Sequence, residues 1–186
     1  MTAVVEAAAQ VLLDAGYARA TTNRIADAAG VSVGTLYQYF SSKDDIFDAL
    51  IRREIAALEE TLSLATPDPQ QSLEKGLRTL LRAIVEARPE TPSLYRALEH
   101  VPNALFKRRL VQARGRVVTF VRNILSSRRG LRVRDLDVAA FIVVAAVEGV
   151  AMNATTEFLR GNGVDELASM LARYLGRRSV ADKSPP

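Results

Sequence analysis

Side chains able to do covalent or metal chemistry are scarce in this chain. It holds one histidine, His100, and no cysteine. Thiolate nucleophiles, disulfide frameworks and thiolate zinc sites are therefore excluded, and the composition suits a reducing compartment. No HExxH, GxSxG or phosphate-loop pattern occurs, which removes the common routes to metallohydrolases, serine hydrolases and nucleotide enzymes. The informative segment is Thr22 to Tyr39, TNRIADAAGVSVGTLYQY, where hydroxyls, amides and phenols alternate with small apolar residues. Such groups hydrogen-bond to phosphates and to base edges.

Two short helices crossing steeply, the helix-turn-helix arrangement, set a demanding pattern that this segment meets. Ala26 is small where the second helix must cross, and Gly30 tolerates the positive φ of the turn. Ile25, Ala29, Val31 and Leu36 are placed to lock the pair. A plain helical hairpin with a glycine turn satisfies part of the same pattern. On the helix-turn-helix reading, Thr22 presents a hydroxyl and free amides to a phosphate, and Asn23 and Arg24 add backbone contacts. The second helix lies in the major groove with Val33, Gly34, Thr35, Gln38 and Tyr39 towards the DNA. Gly34 allows close approach, Val33 and Thr35 suit a thymine methyl, and Gln38 suits adenine. The phenols of Tyr37 and Tyr39 are long enough for phosphates, although Tyr39 also suits a partly core position. Ser32 can cap the second helix, and Leu36 and Phe40 should face inward.

The stretch from Thr21 to Ile46, TTNRIADAAGVSVGTLYQYFSSKDDI, resembles the signature of the TetR (tetracycline repressor) family. It follows a first helix ending in Gly16-Tyr17, as in that family, and the close resemblance covers about residues 4–50. The resemblance implies a DNA-reading head on an all-helical body that dimerises and senses a small molecule. It implies a phosphate-contacting role for Lys43. Val33 and Gln38 stand where the family varies and often carries a basic residue or histidine, so its base preferences do not transfer.

The remaining sequence is helical throughout, an all-α fold of about nine helices with no strand and no internal repeat. The first helix shows Val5, Ala8, Leu12 and Ala15 at helical spacing, with Gly16 as a C-cap. Thr21 and Thr22 can cap the helix that Gly30 ends, and Ser41 and Ser42 cap a long helix striped by Phe47, Leu50, Ile51, Ile55, Leu58 and Leu62. After the break at Thr66-Pro67-Asp68-Pro69, helices are expected over Gln70–Ala87, from Pro92 to before Pro102, over Asn103–Ser127, Asp135–Arg160 and Val164–Leu175. The expected domains are a head over 1–45, a ligand-binding and dimerising body over 46–176, and a disordered tail over 177–186.

Charge locates the DNA face poorly. The net charge is +4, yet residues 1–45 hold Arg19, Arg24 and Lys43 against Glu6, Asp14, Asp27, Asp44 and Asp45. The basic stretch lies further on, at Lys107-Arg108-Arg109, Arg114, Arg116, Arg122, Arg128-Arg129, Arg132 and Arg134. It reads either as a solvated face or as a contact for an anionic ligand or flanking DNA. The longest apolar run, Val138 to Val147, ends at Glu148 and is shorter than the roughly 20 residues of a membrane span. With no basic segment and apolar core after Met1, the expectation is a soluble, cytoplasmic protein that associates with the nucleoid and with no membrane.

In the body, Val164, Leu167, Ala168, Leu171, Tyr174 and Leu175 form a stripe expected at a dimer interface, with Ala145, Ala146, Gly149 and Met152 on the preceding helix. Candidate lining of an effector pocket is Leu62, Leu80, Ile84, Leu94, Tyr95, Leu98, Phe106, Phe120, Phe141 and Glu148. Glu148 interrupts an apolar helix and needs a partner. The expected partners are operator DNA, a second copy and a small-molecule effector, with no cofactor and no metal. A helical adaptor with a vestigial helix-turn-helix and a carboxylate-based enzyme are the alternatives.

Overall fold

The computed structural model describes residues 1–87, 91–99, 101 and 104–176. Among them are ten helices: α1 Thr2–Arg19, α2 Thr22–Ala29, α3 Val33–Tyr39, α4 Lys43–Leu64, α5 Leu73–Ala87, α6 Thr91–Glu99, α7 Ala104–Ser126, α8 Leu136–Asn153, α9 Thr156–Arg160 and α10 Gly163–Leu175. The described residues form no strand, only an isolated antiparallel bridge between Leu131 and Gly176. His100, the expected tail and the side chain of Phe106 fall outside the described part. Two compact units form, Met1–Glu60 with Glu90–Ala113, and Thr61–Pro89 with Arg114–Pro186.

The first unit is built on α1, which packs against α2 and α6. Val4, Val5, Ala8 and Leu12 of α1 meet Ile25 and Ala26 of α2, Leu36 of α3, and Ile46, Phe47, Leu50 and Ile51 of α4 in one buried core. Leu94, Leu98 and Val101 belong to this same core. The helical path of α1 breaks at Gly16, whose φ of 72° and ψ of 163° suit glycine, and a last turn follows it to Arg19. One carboxylate is buried here: Asp48 of α4 is held by the Nε and a terminal nitrogen of Arg109, the latter at 3.1 Å, with Arg52 at 3.2 Å.

In the second unit α10 packs against α5, α8 and α9. Leu81, Leu125, Ala139, Ala140 and Val143 enclose Val164, Leu167, Ala168, Leu171 and Leu175. Apart from Tyr174, which is exposed, the stripe expected to meet a second copy is buried in its own unit, where α10 packs on α5 and α8. A polar clasp borders this packing: Asp165 takes Arg78 at 3.0 Å and Arg82 at 2.9 Å, and Ser169 donates to Glu74 at 2.9 Å.

Gly16 is a kink and not the expected C-cap, which is Ala20, and two further helix boundaries differ from expectation. The helix expected over Asp135–Arg160 stops at Asn153, because Thr155 starts a new helix by accepting the N–H of Phe158 at 3.1 Å. α5 begins at Leu73 instead of Gln70: Asp68 accepts the Gln70 N–H at 2.8 Å in a turn, and Ser72 then accepts that of Lys75 at 3.3 Å. α8 reaches the length and apolarity of a membrane span, more than its ten-residue apolar run conveys. Both of its charges are paired to α7, Asp137 with Arg122 at 2.6 Å and Glu148 with Arg114 at 2.9 Å.

Candidate nucleic-acid interface

The α2–α3 pair is fixed by caps that the sequence encodes locally. Thr21 accepts the Arg24 N–H at 3.3 Å and starts α2. Gly30 ends it in the left-handed region, φ 68° and ψ 29°, and the Val31 N–H returns to the Ala26 carbonyl at 3.0 Å. Ser32 caps α3 through the Thr35 N–H at 3.0 Å. Ile25, Ala26 and Leu36 are fully buried between the helices, so the outer faces keep one orientation.

Those outer faces carry the expected contact residues. Asn23, Arg24, Gly34, Thr35, Tyr37, Gln38 and Tyr39 are exposed, while Thr22, Val33 and Lys43 are half-buried. Tyr39 is 59% exposed, which removes the partly core alternative. The Thr35 hydroxyl is committed to Ser32 at 2.8 Å, leaving its methyl as the group on offer. Gly34 has an ordinary backbone, and an added Cβ would meet only Ser32 Oγ, at 3.7 Å. Nothing inside the head requires glycine there.

The Thr22 and Tyr37 hydroxyls lie 3.2 Å apart, joining the start of α2 to the middle of α3. Because Thr21 supplies the cap, Thr22 keeps its hydroxyl for this second role. Ser42 caps α4 through the Asp45 N–H at 3.2 Å. Lys43 then turns back to Tyr17: its Nζ donates to the Tyr17 carbonyl at 3.0 Å and stands 3.9 Å from the ring centroid. The Tyr17 hydroxyl donates to Asp44, and its ring tilts against Phe47 with centroids 5.3 Å apart. Burial first, then the Asp44 carboxylate, push the Tyr17 phenol up to about 12. Tyr17 entered the sequence reading only as part of the Gly-Tyr pair. A contact across 26 residues leaves no local signal.

The candidate effector-pocket residues are distributed over both units. Leu94 and Leu98 are core of the first unit, where α6 packs on α1. Tyr95 is half-buried in that same unit. In the second unit Leu62 and Leu80 are buried, and Ile84, Phe120 and Glu148 half-buried. Phe141 is 52% exposed and lies under the Arg114 guanidinium at 5.0 Å, so it lines no interior. Glu148 has its partner in Arg114, a 2.9 Å ion pair whose N–H is not aligned as a hydrogen bond.

Four arginines of the basic stretch are paired within the protein. Arg109, Arg114 and Arg122 pair with Asp48, Glu148 and Asp137. Arg128 donates to the carbonyls of Gln71 at 2.9 Å and Asp68 at 3.1 Å. Lys107, Arg108 and Arg129 are exposed. Ala145 and Met152 are half-buried and Gly149 exposed on α8, and Ala146 packs partly on the core.

A capped two-helix pair with an exposed second helix is the helix-turn-helix arrangement. Residues 4–50 match the model of the tetR family of bacterial regulatory proteins, and residues 72–175 match a tetracyclin repressor-like C-terminal domain. The chain belongs to the tetR family. It is 38% identical over 85 residues to the nucleoid occlusion factor SlmA of Glaesserella parasuis serovar 5, covering 45% of this chain and 40% of that protein. It is 38% identical over 85 residues to the HTH-type transcriptional activator FasR of Mycolicibacterium smegmatis, 44% of this chain and 35% of that one. These alignments thus span about two fifths of each relative's length. A solved TetR-like transcriptional regulator from Rhodococcus sp. RHA1 superposes with a TM-score of 0.70 at 26% identity, covering 92% of this chain and 90% of that one.

Proposed function

We propose that the protein is a ligand-responsive repressor that binds a palindromic operator as a homodimer in the cytoplasm, and that it has no catalytic role. The observation carrying this reading is α3: Leu36 anchors it in the core while Gly34, Thr35, Tyr37, Gln38 and Tyr39 stay exposed on its outer side. One helix in one major groove reads few base pairs, so two half-sites about 34–36 Å apart are needed. The second copy is taken by the outer face of α8, where Val138, Phe141 and Ile142 are exposed and Ala145, Gly149 and Met152 continue the spacing. Met170 and Tyr174 are the exposed apolar residues of α10. An apolar face of this kind fits a protein partner better than lipid, because the Asp137 and Glu148 pairs do not need to enter hydrocarbon.

An effector seated among the interior residues of the body, with Leu62, Leu80, Ile84 and Phe120 as lining, would favour a dimer whose heads no longer match successive grooves. Moving from nearly all bound to nearly all free needs about a 10⁴-fold preference. The test is mobility shift on the DNA flanking the protein's own gene, beside light scattering. Tyr37→Ala is expected to abolish the shift and Phe141→Asp to give monomers that bind weakly. Full binding by Tyr37→Ala would overturn the assigned face, and a monomeric wild type would overturn the two-half-site reading. Repression is checked by transcription from the flanking promoter, which should rise when the gene is deleted.

A further inference from the structure

Lys43 is electrostatically misplaced by ordinary helix rules. It opens α4, where the positive end of the helix macrodipole disfavours a cation and favours the acids Asp44 and Asp45 that follow. A lysine there, with its long flexible stem, should wander in solvent. It is instead docked: Nζ is 3.9 Å from the Tyr17 ring centroid and 3.0 Å from the Tyr17 carbonyl. That leaves two of its three N–H donors. The ring is itself fixed, its hydroxyl by Asp44 and its edge by Phe47, and the kink at Gly16 precedes it.

We propose that Tyr17 is a positioning residue for DNA binding, its ring and carbonyl holding the Lys43 ammonium ready for a backbone phosphate. This rests on the reading of Lys43 as a phosphate contact. A cation–π contact present both with and without DNA adds nothing to affinity by itself. Its contribution is that Lys43 is ordered before DNA arrives, so the entropy of immobilising it is not lost on binding.

The test uses the full chain and a fluorescein-labelled duplex that the wild type selects from a random pool. Position 17 is changed to Phe, to Phe carrying one, two or three ring fluorines, and to Leu, each with Lys43 and with Lys43→Met. Fluorination empties the ring face of electron density while keeping its shape, so the series reads positioning even where Tyr17→Leu unfolds the head. With Lys43 present, affinity should fall stepwise along the fluorine series, reaching about a 2- to 12-fold loss in Tyr17→Leu. With Lys43→Met the series should be flat. Lys43→Met should also reduce the salt slope by about 0.9 per bound head, whereas the position 17 variants leave the slope unchanged. A flat series beside a weakened Lys43→Met would overturn the positioning role and leave the phosphate contact standing. Equal losses in both backgrounds would reduce Tyr17 to a structural residue. Wild-type binding and slope in Lys43→Met would overturn the Lys43 contact itself.

Discussion

The Tyr37 hydroxyl lies 3.2 Å from Thr22 Oγ1, so α2 and α3 share one exposed polar bridge. Neither group is needed for the core, which Ile25, Ala26 and Leu36 already close. On the proposed DNA-binding reading, the bridge sets where two hydroxyls stand relative to a phosphate more than it stabilises the fold. Thr22→Val and Tyr37→Phe should each change unfolding free energy by less than about 0.5 kcal/mol. Each should weaken operator binding by roughly 3- to 10-fold, and the double variant by less than the product. Mobility shift and thermal melts on the four proteins check this. Multiplicative losses would mean that the hydroxyls act separately.

Gly34 separates folding from DNA contact. Its backbone is ordinary and its surroundings are open apart from Ser32 Oγ, so Gly34→Ala should stabilise the head by about 0.4–1 kcal/mol. The same methyl, forced against DNA packed closely on α3, should weaken binding by roughly 5- to 150-fold, a cost of about 1–3 kcal/mol. A variant that melts higher and binds as well as wild type would remove Gly34 from the interface.

Asp48 gives a stability prediction far from the DNA face. It is the buried charged residue of the described chain and is held by Arg109 and Arg52. Asp48→Ala should destabilise by about 2–3 kcal/mol, below the full loss for a buried pair because the Arg109 side chain is 32% exposed. Urea unfolding measures it, and a change under about 0.5 kcal/mol would show that water replaces the carboxylate.

The Tyr17 phenol predicts alkaline behaviour. Its folded value of about 12 lies above the ordinary 10.0, so the unfolded chain loses its proton first. The stabilisation is complete below pH 10 and is lost as pH rises towards 12. Melting temperature should fall through that window, and Tyr17→Phe should remove this component of the fall. An identical alkaline profile in Tyr17→Phe would contradict the assignment.

The head was legible because its rules are local. Thr21, Gly30 and Ser32 act within a few residues of themselves, and each does in the structure what its type and position imply. The end of α8 was hidden because Asn153-Ala154-Thr155 contains neither glycine nor proline, and only the cap from Thr155 to Phe158 marks it. The α10 stripe shows the limit of periodicity. Spacing identifies an apolar face on Val164, Leu167 and Leu171, but which surface covers it depends on α5, some 80 residues earlier. For the same reason no sequence rule joins Lys43 to Tyr17, or Arg109 to Asp48.

The acidic balance of the head bears on how such a protein finds its site. Affinity for arbitrary chromosomal DNA comes from neutralised phosphates, and residues 1–45 bring three cations against five acids. On the proposed operator-binding reading, most of the genome should therefore be a weak decoy for this head, and a larger share of the cellular pool stays free to sample operators. Selectivity is then gained less by a strong grip on a few bases than by a loose grip on everything else. Few copies per cell would suffice, and a small fall in operator affinity would empty the site.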